Sequence, residues 1–127
     1  MKFKIDQETF AGIIARAQSV MERKSTRPIL ENVLLTVKGN SLVLSATDLR
    51  ISLTQKASCE AGEDGSISLA GRKLHEIVRE LPKGEVSVED KDGAWVTITG
   101  GKSTFHVPGT SAEEYPTIPE PPAKFMK

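Results

Sequence analysis

The sequence has few of the residues that mark small secreted or metal-stabilised domains. It has one cysteine, Cys59, among 127 residues, which excludes an internal disulfide and a metal site built from several thiolates. Aromatic residues make up 5% of the chain, so the core must be mainly aliphatic. The absence of a disulfide framework is typical of a protein from a reducing compartment.

The sequence also lacks an excess of either charge and any long apolar stretch. Lys and Arg number 17, as do Asp and Glu, so a nucleic-acid partner would have to be recognised through local placement of charge. No stretch approaches the ~20 apolar residues that span a bilayer. Residues 1–10 lack the apolar segment of a signal peptide. We therefore expect a soluble cytoplasmic protein without a membrane partner.

Apolar positions near the start of the chain recur further along it. The first set recurs 64 residues later: Phe3, Ile5, Phe10, Ile13, Ile14 and Ala17, with Ile67, Leu69, Leu74, Ile77, Val78 and Leu81. The second set recurs 54 residues later: Leu42, Leu44, Ile51 and Leu53, with Val96, Ile98, Phe105 and Val107. The repeat indicates two copies, about 1–57 and 66–108, each with a strand, a helix and three strands. We expect an α+β fold with antiparallel sheets outside and two helices packed on the inner face.

The same pattern predicts where the elements lie. We expect helices over about 7–21 and 71–81, and strands over 2–5, 29–37, 42–46, 49–56, 66–69, 85–89, 94–99 and 104–107. Residues 59–65 are acidic and contain glycine, so we expect a link between the copies. Residues 109–127 are rich in proline and acids, which favours an extended tail or linker.

No group of residues in the sequence indicates catalysis. Gly101-Lys102-Ser103 is similar to the end of a phosphate-binding loop, but the glycine required five residues earlier is Val96. A hairpin turn is the better interpretation. Glu89, Asp90 and Asp92 surround another turn, where carboxylates are usually solvated. We expect no cofactor or metal site, because catalytic or ligand spacing is also missing around Cys59, His75 and His106.

Basic side chains are grouped on the helices, whereas acids are concentrated in the links and turns of the sheet. The basic group consists of Arg16, Arg23, Lys24, Arg27, Arg72, Arg79 and Lys83. A basic surface that ignores base sequence suits contact with phosphates. An ordinary solvated helix face is the alternative on charge alone. Phe105 and Val107 lie on the last strand, where they are either core residues or an interface at a free sheet edge.

Six short segments, in order along the chain, match a known family. They are 1–5 (MKFKI), 24–32 (KSTRPILEN), 46–49 (ATDL), 71–73 (GRK), 80–82 (ELP) and 115–116 (YP). Through this combination the chain resembles the bacterial replicative sliding clamp, the beta subunit of DNA polymerase III. The resemblance covers the N-terminal domain of that family only.

The resemblance implies a DNA-clamp fold and a non-enzymatic role. Subunits of this family have three similar domains, and two subunits close head to tail into a ring around duplex DNA, with helices lining the hole. Residues 1–127 would be a single clamp domain, the first of three, with 109–127 leading to a second domain missing here. It would tether the replicative polymerase to DNA as a processivity factor. DNA polymerase III and the clamp loader would bind through the absent domains.

The resemblance also implies roles for single residues. Lys24 and Arg72 match positions that contact DNA, and the placement of charge adds Arg23, Arg27 and Arg79. The positions that match the contact between subunits are Lys73, Ile77, Phe105 and Val107. Two residues depart from the family pattern. The family more often has an apolar residue at the position of Arg27 and an acid at the position of Arg50.

Two other functions stay open at this point. One is a structural interaction domain without direct DNA contact. The other is a metal-dependent nuclease that uses Glu89, Asp90 and Asp92 to hold a divalent cation.

Overall fold

The computed structural model describes residues 1–20, 31–47, 51–91 and 95–115, which form two α-helices and nine β-strands. Helix α1 spans Gln7–Ala17 and α2 spans Gly71–Glu80. The strands are β1 Lys2–Asp6, β2 Asn32–Lys38, β3 Ser41–Thr47, β4 Ser52–Ser58, β5 Glu60–Glu63, β6 Gly65–Ala70, β7 Glu85–Lys91, β8 Trp95–Gly100 and β9 Ser103–Ser111. A 3-10 helix, Ala112–Glu114, follows β9. Neither α-helix in these ranges is long and apolar enough to span a bilayer.

The strands form antiparallel sheets that cover one side of the helices, so the predicted α+β fold is confirmed. The order is β4-β3-β2-β6-β9-β8-β7-β1-β5. The opening strands are exchanged between the two halves: β1 pairs with β7, and β6 pairs with β2. Since each half completes the sheet of the other, the halves share one core.

Both helices bury one apolar stripe against the sheets. Their apolar residues recur at intervals of three and four, which puts them on one face of a helix. Asp6 ends β1 and caps α1, because its carboxylate accepts the backbone N–H of Thr9 at 3.1 Å. The buried helix residues are Gln7, Phe10, Ile13, Ile14 and Ala17 on α1, with Gly71, Leu74, Ile77 and Val78 on α2.

Two glutamines connect the antiparallel helices at opposite ends. The Gln7 side-chain amide donates to the Val78 carbonyl at 2.8 Å, near the end of α2. The Gln18 side-chain amide donates to the Gly71 carbonyl at 3.3 Å, where α2 begins. The end of α1 and the start of α2 therefore lie at the same end of the helix pair.

Three sequence-based boundaries were wrong. Residues 59–65 are more than a link, because Glu60–Glu63 pair with β1 as an edge strand. Glycine and acidic residues have low strand propensity, so the sequence did not predict this strand. Helix α1 ends at Ala17, since the Val20 N–H bonds to the Ala17 carbonyl in a tighter turn. Strand β9 continues beyond Val107 to Ser111, because Gly109–Ser111 pair with β6.

Tyr115 anchors the chain just after β9. Its side chain is 6% exposed, and its hydroxyl lies 3.4 Å from the Asn32 carbonyl oxygen and 3.5 Å from that of Ser45. Burial raises the pKa of Tyr115 to about 12, while a backbone hydrogen bond from Thr47 acts in the opposite direction. The fold therefore favours the neutral phenol over the phenolate.

We expect the protein to lose stability in strong alkali because of Tyr115. The stability that the buried, neutral phenol contributes is fully present below the ordinary tyrosine pKa of 10. It is lost as pH rises through the folded-state pKa of about 12. It amounts to roughly 3 kcal/mol at most, at about 1.4 kcal/mol per pH unit. Since the chain has one tyrosine, tyrosinate absorbance during a pH titration reports this group alone. A midpoint near 10 in the folded protein would contradict the burial argument.

Candidate nucleic-acid interface and edge groove

The start of α2 combines a cation with an unneutralised helix terminus. Arg72 and Lys73 are exposed in its first turn. The N-cap residue, Ala70, makes no side-chain cap, and the first turn contains no acid. The free N–H groups and the positive end of the helix dipole therefore add to the charge of Arg72. This end of the helix suits an anion rather than a cation.

Most of the described cations on and next to the helices form ion pairs with acids, but Arg72 does not. Three contacts are Lys73 to Glu76 at 3.4 Å, Arg79 to Glu80 at 3.9 Å and Lys83 to Glu8 at 3.5 Å. Such exposed pairs are weak and easily exchanged. Among the described residues, Arg16 and Arg72 are the arginines that belong to no ion pair. Their charges are the most available for a partner.

Three of the predicted phosphate contacts lie outside the described residues. Arg23, Lys24 and Arg27 belong to 21–30, which the described ranges omit. Their role in DNA contact stays a prediction. Of the five residues proposed from sequence for this surface, Arg72 and Arg79 are therefore the two whose surroundings are known.

In addition to Glu8, Glu76 and Glu80 on the helices, other acids lie on the strands and in the turns between them. Glu60 and Glu63 are exposed on β5 at the edge of the sheet, and Glu85 is exposed on β7. Asp64 accepts the backbone N–H of Gly39 at 3.0 Å and so fixes the β2–β3 turn. A chain with no net charge can in this way present a more basic helical side.

The four residues predicted for a subunit contact come together in one groove, which we call the edge groove. It has a volume of about 490 Å³ and lies between α2 and β9. Phe105 is 37% exposed, whereas Ile77 and Val107 are 8% and 5% exposed and form its floor. Its lining residues are Lys73, Glu76, Ile77, Glu80, Phe105, His106, Val107 and Pro108.

A free strand edge borders the edge groove. From Ser103 to Pro108, β9 pairs with β8 on one side. On its other side, β9 pairs with β6 only from Gly109 to Ser111. Within the described chain, the backbone groups of 103–108 therefore have no second strand beside them. Unpaired backbone groups next to apolar side chains are suited to pairing with a strand of another chain.

Sequence reasoning missed half of the residues that line the edge groove. Glu76 and Glu80 follow Lys73 and Ile77 at helical spacing of three, so helix periodicity could have found them. His106 and Pro108 flank Val107 on β9 and also line the groove. The Thr97 hydroxyl lies 3.2 Å from His106 Nδ1 and holds the imidazole against β8.

The residues considered for catalysis are dispersed or engaged elsewhere. The Asp90 carboxylate accepts a hydrogen bond from the Met1 α-ammonium at 2.7 Å. Asp92 lies outside the described ranges. In the described part of the chain, His, Cys, Asp and Glu do not gather in a group that could hold a metal ion. Gly101 has a φ of 58° in the turn between β8 and β9, so the hairpin interpretation is confirmed. Burial raises the pKa of the Cys59 thiol, which lowers its reactivity.

The chain is similar to known clamp proteins over nearly its whole length. The model of the family described as DNA polymerase III beta subunit, N-terminal domain, matches residues 1–119. The beta sliding clamp of Caulobacter vibrioides is 35% identical over 120 residues, 93% of this chain and 32% of the relative. That of Pseudomonas aeruginosa is 34% identical over 126 residues, 96% of this chain and 34% of the relative.

The fold comparison agrees with the sequence comparison. The crystal structure of the Caulobacter crescentus beta sliding clamp superposes with a TM-score of 0.89 at 35% identity, covering 94% of this chain and 32% of that one. The chain spans about a third of the length of the curated relatives it matches.

Proposed function

Because the chain belongs to the family of the DNA polymerase III beta subunit, N-terminal domain, we propose that it forms the first domain of a ring-shaped clamp. The ring encircles duplex DNA and slides along it without reading base sequence, as a processivity factor of the replicative polymerase. Its role is accessory rather than catalytic, and its place is the cytoplasm. The observation that carries the proposal is Arg72, which forms no ion pair with the described residues, beside the uncapped start of α2.

In this proposal the helix layer faces DNA through few and weak phosphate contacts. Lys24 and Arg72 are the main ones, with Arg23, Arg27 and Arg79 adding charge. The mechanism is topological, since a closed ring retains DNA without gripping it. Weak contacts matter because tight ones would hinder sliding. Arg79 forms an ion pair with Glu80, and it can exchange this partner for a phosphate and back again easily.

We place the subunit contact at the edge groove, with Lys73, Ile77, Phe105 and Val107 at its centre. The partner is the third domain of a second subunit, in a head-to-tail homodimer. The free edge of 103–108 would pair with a strand of that domain, and its apolar side chains would cover Phe105. DNA polymerase III and the clamp loader would bind the domains that follow this one.

The isolated chain is expected to bind duplex DNA weakly and with a steep dependence on salt. If about three phosphates are neutralised, affinity falls roughly 50-fold between ~50 and ~200 mM salt, and the dissociation constant at physiological salt lies at or above ~10⁻⁵ M. Fluorescence anisotropy with unrelated duplexes measures both quantities. Arg72→Glu should weaken binding to every duplex by a similar factor, because phosphate contacts carry no sequence information.

The same measurement separates the alternatives. Nanomolar binding at physiological salt by this chain would contradict a sliding role. Affinity that does not depend on salt concentration, and that stays unchanged in the Arg72→Glu variant, would favour an interaction domain without DNA contact. Metal-dependent cleavage of the duplex that is lost in Glu89→Gln and Asp92→Asn would favour the nuclease.

A further inference from the structure

Arg16 on α1 is held against the sheet by Gln55 of β4. The Arg16 Nε donates to the Gln55 Oε1 at 2.5 Å. The amide nitrogen of Gln55 in turn donates to the Ile13 carbonyl at 2.7 Å. One glutamine side chain thus binds both the backbone of α1 and the guanidinium that projects from it. The orientation of Gln55 is fixed by both contacts, because one end must donate and the other accept.

This arrangement leaves the two Nη groups of Arg16 outside the bond to Gln55. The bond to Gln55 uses Nε, and a Cβ built on Gly12 would lie 3.9 Å from Arg16 Nη1. Nη1 therefore lies close to the turn of α1 that carries Gly12, a residue without a side chain. Among described residues, Arg16 has no carboxylate partner, unlike Lys73, Arg79 and Lys83. Arg16 is exposed, and its Nη groups take no part in the bond to Gln55.

Arg16 lies at the same end of the helix pair as Arg72. Gln18, two residues after Arg16, bonds to Gly71, the residue before Arg72. The two described arginines without ion pairs therefore lie at the same end of the helix pair, where α1 ends and α2 begins. The uncapped N-terminus of α2 adds positive potential at this same place.

We propose that Arg16 is a further phosphate-contacting residue, and that Gln55 is the positioning residue that aims it. The inference rests on the proposed DNA role of the helix layer. The ligand is the phosphodiester backbone of a duplex, which the two Nη groups can bind in a bidentate way. A neutral amide suits position 55, because a carboxylate there would neutralise the arginine that it positions.

The experiment is a titration of the isotope-labelled chain with a short duplex at low salt, followed by NMR. The Arg16 Nε–Hε signal should exchange slowly with water, because Gln55 protects it, and should shift on addition of DNA. By anisotropy, Arg16→Ala should weaken binding about 3- to 10-fold and lower the salt slope by about 0.9, the value for one phosphate. Gln55→Ala keeps the charge of Arg16 but removes the contact that orients it. It should weaken binding about half as much as Arg16→Ala does, on a logarithmic scale.

Lys56→Ala is the matched control. Lys56 is exposed on the opposite face of β4 from Gln55, so this variant removes one positive charge on the side away from the helices. It should change affinity less than 2-fold and leave the salt slope unchanged. Gln55→Glu is the second positioning variant. It should weaken binding as much as Arg16→Ala while it keeps a packed side chain, and thermal melting checks that each variant folds.

The outcomes separate this inference from the proposed function. If Arg72→Ala weakens binding while Arg16→Ala behaves like Lys56→Ala, Arg16 is no contact and the DNA role stands. If neither arginine matters and salt has no effect, the DNA role itself fails. If Arg16→Ala weakens binding while folded Gln55→Ala and Gln55→Glu leave it unchanged, Gln55 has no positioning role.

Discussion

An Ile77→Ala, Phe105→Ala double variant is expected to weaken closure of the proposed ring by about 100- to 1,000-fold. The edge groove is apolar at its floor and is bordered by a strand edge that is free within the described chain, so the proposed partner subunit would cover Phe105 and rest on Ile77. Apolar anchors at the centre of an interface each contribute about 2 kcal/mol or more, and an aromatic ring contributes most. Truncation of both leaves a cavity that the paired strands cannot fill.

The measurement requires a ring that contains this chain. A chimera in which residues 1–119 replace the first domain of the Caulobacter relative provides one, and analytical ultracentrifugation gives its dimer dissociation constant. Trp95→Ala is the matched control, because Trp95 is 52% exposed on β8 and does not line the edge groove. A dimer as tight as the unaltered chimera would remove the edge groove from the subunit contact.

Ile77 needs a separate check because it also belongs to the core. It is 8% exposed, so Ile77→Ala lowers the stability of the domain as well as that of the interface. Phe105→Ala affects the core less, since Phe105 is 37% exposed. The single Phe105 variant should therefore weaken the dimer while the melting temperature of the isolated chain stays nearly unchanged.

The sequence repeat predicted the layers of this fold but could not predict how the halves are joined. Periodicity shows which residues of β1 and β6 are buried, but not which strand lies beside them. The pairing of Phe3 with Val88 joins residues that are far apart in sequence. Such pairing is decided by the packing of the whole core rather than by local propensity. For the same reason the short acidic β5 could not be predicted.

The candidate sites divide along the same line. Charge and the resemblance to clamps were enough to select Arg72 and half of the residues that line the edge groove. They could not select Gln55, which is an ordinary polar residue in a strand pattern. Its importance depends on the contact with Arg16, across 39 residues of sequence. A positioning residue of this kind is visible only once the helix and the strand lie side by side.

Gly109→Val is expected to lower the stability of the domain by about 3 kcal/mol, although valine has the higher strand propensity. Gly109 lies where β9 leaves its free edge and begins to pair with β6. It does not have a positive φ, so the backbone does not require glycine. The surrounding packing does require glycine, because a Cβ there would lie 2.5 Å from Ile67 Cδ1 and 3.2 Å from Val96 Cγ2.

The neighbours of Gly109 cannot move aside cheaply. Ile67 and Val96 are 1% and 0% exposed, so any shift would disturb the packed core between the two halves. Thermal melting of the chain should show a fall of roughly 10 °C. Gly12→Ala is the opposite control, because a Cβ on Gly12 of α1 would lie 3.9 Å from Arg16 Nη1, an ordinary contact distance, and alanine there should raise stability by up to ~1 kcal/mol. If Gly109→Val melted at or above the temperature of the unaltered chain, strand propensity would outweigh packing at the point where the free edge of β9 enters the sheet.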